Sequence, residues 1–178
     1  METTKEKRKI SIQNGLVKGV IETGEAINKI AVIERHKNSG KHCVGFIEGL
    51  GLRGAAIAQT IAHDSHNIIV TGDNDKDMEI AVNSIINRNG GIVIVSNGKL
   101  LDFLSLPIGG LMTCESPKIV LDKISNLNLL ARKYGIKEGI DPFLTLAFMA
   151  LPVIPYFKIT ARGLFDYSSF SFVDLFDI

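Results

Sequence analysis

Short β-branched runs alternate along this chain with glycine-rich and polar breaks. IAVIER at Ile30–Arg35 and CVGFI at Cys43–Ile47 predict strands. HKNSGK, residues 36–41, predicts a turn between them and hence a hairpin. Ala55–Ala62 (AAIAQTIA) can be read two ways. Its alanines favour helix, whereas Ile57, Gln59 and Ile61 alternate as on one face of a strand. NIIVT at Asn67–Thr71 predicts a strand. Over Asp77–Asn87 the period changes: Met78, Ala81, Val82, Ile85 and Ile86 share one helical face, behind an acidic lead-in suited to a helix N-terminus. Gly90 and Gly91 end that helix. GIVIVS at Gly91–Ser96 and Lys99–Leu106 predict a second hairpin around Asn97-Gly98, a favoured two-residue turn, which Pro107 and Gly109-Gly110 close.

The remaining pattern is helical, then aromatic. Ser116 caps a second helix with Pro117 at its first position, Val120, Ile124, Leu127 and Ala131 on one face, and Gly135 at its end. Asp141 caps a third through about Met149. The segment after Pro155 is aromatic and acidic and reads as a packed C-terminal piece. Residues 1–9 are polar and expected to fray. Strands pair as hairpins without a strict βαβ alternation. The expected fold is therefore a single α+β domain: a mixed or antiparallel sheet packed with about three helices, and not a TIM barrel. Residues 1–25 are expected to be a tail or linker and residues 26–178 the domain.

Composition narrows the function class. Hydrophobic residues make up 46% and charged residues 22%, with a formal net charge of +1. Such a balance creates no broad field for nucleic acid. With no Trp, nine Phe and three Tyr, a base-stacking surface is not suggested. No apolar run reaches the roughly 18 residues of a membrane helix, and the longest, Leu144–Ile154, is interrupted by Pro152. The charged METTKEKRK start lacks an apolar stretch behind it and does not read as a signal peptide. Cys43 and Cys114 are expected to be buried, reduced thiols, and the chain to be cytoplasmic.

Several motifs carry candidate chemistry. Gly49, Gly51 and Gly54 match the dinucleotide-binding glycine pattern, and Asp73 follows Gly49 by 24 residues, the spacing of a ribose-binding carboxylate. Against it, a polar cluster interrupts the connection and a hairpin follows where a crossover is needed. DNDKD, residues 73–77, begins like a calcium loop but has Met78 and Ser84 where Gly and Glu are required. Helix capping is the stronger reading. The histidines His36, His42, His63 and His66 form no His-x-His or His-Glu-x-x-His pair, so no metal ligands are assigned in this chain. His63-Asp64-Ser65-His66-Asn67 stands apart: five consecutive proton donors or acceptors sit between apolar runs. Two imidazoles around a carboxylate are costly between core elements unless satisfied. The cluster is either a structural hydrogen-bond network or a binding or catalytic site.

Five runs resemble one family. RGAAIAQTIAHDSHNIIVTGDNDKDM, IAVIERH at Ile30–His36, LPIGGLM at Leu106–Met112, DPFLTLAFMALPVIP at Asp141–Pro155 and KITARGLFDYSSFSFV are similar to the C-terminal domain of adenine deaminases, over about residues 26–173. That resemblance implies hydrolysis of adenine to hypoxanthine and ammonia by a metal-dependent amidohydrolase. Its manganese or iron ions would sit in a barrel domain absent from this chain. The resemblance leaves this domain a supporting role: His63, Asp64 and His66 as proton relay or substrate contact, and Ser65, Asn67 and Arg53 as substrate-binding groups. Its expected partners are the barrel, in the same or a separate chain, adenine, and further copies of the chain. A stand-alone binding or assembly module is the alternative, a dinucleotide-binding domain a weaker one.

Overall fold

A computed structural model describes residues 3–8, 12–13, 16–17 and 26–175. Much of the tail expected over residues 1–25 lies outside them. The strands β1 (Ile12–Gln13) and β2 (Leu16–Val17) pair as a two-residue ribbon. The domain centres on β3 (Ile27–Ile33), β4 (His42–Glu48), β5 (Ala56–Gln59), β6 (Ile68–Gly72), β7 (Gly91–Ser96) and β8 (Lys99–Ser105). They form one open, fully antiparallel sheet in the order β4-β3-β6-β5-β7-β8. Helix α1 (Asp75–Ile86) carries the chain from β6 to β7 across the intervening β5. The α+β expectation holds, with no closed barrel.

The strand period of two sorts the core onto two faces. Ile30, Val32, Ile57, Ile69, Ile92 and Ile94 point to one side, where α2 (Pro117–Lys133) and α3 (Pro142–Met149) cover them. Ala31, Ala56, Ala58, Val70 and Val93 point to the other, under Met78, Ala81 and Ile85 of α1. Small residues on this second face let α1 lie close. A Cβ on Gly72 would fall 2.6 Å from the Met78 Cγ.

Tertiary pairing settles the ambiguous segment: Ala56–Gln59 is a fully buried strand between β6 and β7. The first strand begins at Ile27, three residues before the expected start, because Ile27–Lys29 pair with Phe46–Glu48. Helix α1 begins two residues early, since Asn74 is its cap and accepts from the Asp77 amide at 2.9 Å. Asp77 is buried and its carboxylate takes the amides of Asn97 (3.1 Å) and Gly98 (2.7 Å), pinning the β7–β8 turn to the helix. That is the use of the calcium-like run. On α2, Leu127 and Ala131 are buried but Ile124 is exposed. The thiols also depart from expectation. Cys114 is exposed, and Cys43 is half-buried, with burial pushing its pKa up.

The C-terminal piece is a second, three-stranded sheet of β9 (Phe157–Thr160), β10 (Gly163–Asp166) and β11 (Ser171–Val173), packed on β3 and β4. Residues 3–8 run beside it instead of fraying: the Thr3 amide bonds the Pro155 carbonyl at 3.3 Å. Lys158 on β9 is 1% exposed, and burial lowers its ammonium from 10.5 to about 8. Between those values the unfolded chain binds the extra proton, so folding stability contributed by this group rises with pH. Urea unfolding of wild type and Lys158→Met at pH 8 and pH 10 checks this. The gap between them should shift toward wild type at the higher pH, and parallel pH profiles would show the lysine to be solvated.

Candidate functional site

The polar cluster forms the connection of the β5–β6 hairpin, which explains the abrupt apolar-to-polar change on both sides of it. Both ends are anchored. The His63 amide donates to the Ala147 carbonyl on α3 at 3.1 Å, and the His66 amide to the Ala62 carbonyl at 2.7 Å. His66 holds a left-handed φ of 49°, a conformation that His, Asn and Asp visit more readily than other side chains. The His63 ring packs 5.1 Å from Phe148 and 5.6 Å, edge on, from His66.

One residue from the first hairpin organises this loop. Arg35 donates from Nε to the His66 carbonyl at 2.5 Å and from Nη2 to the Gly109 carbonyl at 2.6 Å. Its guanidinium lies on Gly110, where a Cβ would come within 2.6 Å of Nη2. Thr60 fixes the same glycine by donating to its carbonyl at 2.5 Å. Thus Arg35 joins the β3–β4 hairpin, the histidine loop and the 106–112 loop. The neighbouring His36 Nε2 lies 2.7 Å from the Ser65 carbonyl. A carbonyl only accepts, so the His36 Nε2 is the donor of this bond.

The structure divides the predicted residues. Asp64, Ser65 and Asn67, with His36, line a cleft of about 380 Å³ whose other walls come from Glu34, Lys37, Ser39, Lys41, Ala150, Pro152 and residues 160–162. Glu34 is committed to the turn, accepting from the Ser39 hydroxyl and the amides of Ser39, Lys37 and His36, which hold its carboxylate down to about 2. Asn67 is buried, with its amide nitrogen on the Ser65 hydroxyl at 3.2 Å. His63 and His66 are half-buried and are not among the cleft's lining residues. The His66 Nδ1 is buried and has no hydrogen-bond partner. Burial lowers the His66 pKa below 6.5, His63, Arg35 and His36 push the same way, and Asp64 opposes them. His66 is therefore a neutral imidazole at neutral pH, with one nitrogen uncommitted. Arg53 is not brought to this group. It is exposed at the opposite end of β5, its amide on the Tyr134 carbonyl at 2.8 Å.

The glycine motif has a different use. Gly51 meets Gly135 after the end of α2, and the Gly54 amide donates to the Asp73 carboxylate at 2.8 Å. A dinucleotide site needs a helix N-terminus behind the glycines. Here strand β5 follows, so the phosphate cradle is not built. Among the described residues no three His, Cys, Asp or Glu side chains gather as a metal site, and no helix is long and apolar enough to cross a membrane.

Sequence reasoning missed Arg35, His36, Thr60 and Phe148. Arg35 and His36 lie inside IAVIERH, whose polar end after a buried strand was the available signal. Together, the fold and loop define an α+β domain that presents a clamped, polar hairpin beside a cleft. The chain belongs to the adenine deaminase C-terminal domain family, whose model matches residues 1–171. It is 48% identical over 174 residues to an adenine deaminase of Clostridium acetobutylicum, covering 97% of this chain and 30% of that protein. An adenine deaminase of Petrotoga mobilis is 52% identical over 149 residues (84% of this chain, 26% of the relative). Adenine deaminase 2 of Carboxydothermus hydrogenoformans is 43% identical over 171 residues (96% and 30%). The chain thus spans no more than 30% of the length of these curated relatives.

Proposed function

We propose that this chain acts as the C-terminal domain of an adenine deaminase, with the His63–Asn67 hairpin turned toward a metal-bearing barrel. The observation that supports this reading is the buried, unpartnered Nδ1 of a neutral His66, in a loop that Arg35 holds rigid. A buried polar atom without a partner costs about 1–3 kcal/mol, a cost readily offset if a substrate or a barrel group supplies the partner. The exposed Ile108 and Met112 flank Gly109, one of the two carbonyls Arg35 bridges, and add an apolar margin that the barrel would cover. Among the described residues no three metal-ligating side chains gather, and in this reading water activation falls to the barrel. What remains for this domain is proton handling at His66 and Asp64 and hydrogen bonding to the purine edge through Ser65.

Two measurements test the reading. The chain alone, dialysed, should hold no stoichiometric transition metal and release no ammonia from adenine. In a complete adenine deaminase, removing the region matching residues 26–178 should lower kcat/KM strongly. Turnover by the chain alone, or full activity of the isolated barrel, would reject the assignment.

A further inference from the structure

A second polar site lies on the far side of the sheet from α1, where residues 3–8 meet β9. Three donors converge on the Thr3 hydroxyl: the Tyr156 amide at 3.1 Å, the Phe157 amide at 2.9 Å and the Lys158 ammonium at 2.9 Å. The hydroxyl gives its own proton to the Phe157 carbonyl at 2.7 Å. A hydroxyl oxygen offers two lone pairs, one fewer than the donors aimed at it. The ammonium's other partners are the carbonyls of Pro155 (3.1 Å) and Phe157 (3.3 Å). Among the described residues no carboxylate reaches it. A 1%-exposed cation with only neutral partners is incompletely compensated.

We propose that the Tyr156 amide, the Phe157 amide and the Lys158 ammonium form a carboxylate-binding socket, which Thr3 plugs in this conformation. A carboxylate matches the donor set in both respects. It brings about four acceptor sites and the missing negative charge, and hydrogen bonds between charged partners are roughly twice as strong as neutral ones. The surroundings leave room for the rest of such a ligand. Thr3 and Lys158 both line a cavity of about 970 Å³ whose walls include Ile30, Phe46 and Met149 and, on the side of the releasable segment, residues 4–8, with the carboxylates of Glu6 and Glu48 among its lining groups. Either a free organic acid or an acidic side chain of a polypeptide supplies this chemistry. In both cases Thr3 must withdraw, so binding is linked to release of the N-terminal segment.

The test uses the full chain and acetate as the free carboxylate. In Thr3→Ala, acetate should produce saturable NMR shifts of the Tyr156 and Phe157 amides, and Lys158→Met on that background should abolish them. Wild type should bind roughly tenfold or more weakly, since its competent state is populated only when Thr3 withdraws. Thr3→Asp stands in for the side-chain source; it should melt above wild type and be insensitive to acetate. Acetate binding without stabilisation by Thr3→Asp assigns the socket to a free acid, and the converse to a polypeptide side chain. If acetate leaves the Thr3→Ala amides unmoved and Thr3→Asp melts below wild type, the donors serve only the threonine and the proposal is overturned.

Discussion

Replacing Asp64 by Asn, His66 by Asn or His63 by Ala in a complete adenine deaminase carrying this domain is expected to lower kcat/KM by roughly 10²–10⁴-fold, the usual loss when a positioned acid or base is removed. The reason is local. Asp64 is exposed at the cleft, His66 follows in the same loop with a buried, unpartnered Nδ1, and His63 packs edge on against the His66 ring. Asparagine suits position 66 because it tolerates the left-handed φ of 49° that alanine would resist. The pH profile adds a sign. Burial holds the His66 pKa below the usual imidazole range, so a role for the free nitrogen as acceptor predicts loss of kcat/KM as pH falls through that lowered pKa. His66→Asn should remove that limb. Variants that turn over normally and merely melt earlier would leave the hairpin a structural network.

A large stability effect is expected at Gly51. Its φ is 82°, and an added Cβ would stand 2.6 Å from the Gly135 carbonyl oxygen, which belongs to the chain end of α2. The left-handed backbone alone costs about 1–2 kcal/mol for an L-residue, and forcing apart two packed backbones adds about 1–3 kcal/mol. Gly51→Ala should therefore lose about 2–5 kcal/mol, or on the order of 10 °C in melting temperature for a domain of this size. Gly54→Ala is the internal control. Its φ is also positive, 64°, but nothing lies within 4 Å of the added atom, so only the backbone cost of about 1–2 kcal/mol should appear. Adding NAD should change neither melting curve. A rise with NAD that vanishes in Gly51→Ala would restore the dinucleotide reading that strand β5 argues against.

The position of the histidine hairpin was legible because it interrupts two apolar runs, and an interruption of that kind has to be a connection. Its anchoring was not. Arg35 lies 31 residues from His66 and 74 from Gly109, and only the pairing of β3 with β6 brings it there. The placement of Arg53 was illegible for the converse reason. It precedes His63 by ten residues in a continuous motif, but β5 runs between them and carries the two to opposite ends of the sheet.

Local pattern by itself determined the second hairpin, the caps at Ser116 and Asp141, and the α+β class, because turn chemistry and side-chain period act within a few residues. Motif content, spread along nearly the whole chain, determined the family. Only the tertiary structure decided that Ala56–Gln59 is a strand, since alanine satisfies either backbone and the hydrogen bonds of β6 and β7 select one. It also decided that the glycine run packs against Gly135 instead of cradling a phosphate, and that Asp64 and Ser65 line the cleft while His66 does not. Those outcomes depend on which distant backbones meet, and no periodicity along the chain encodes that.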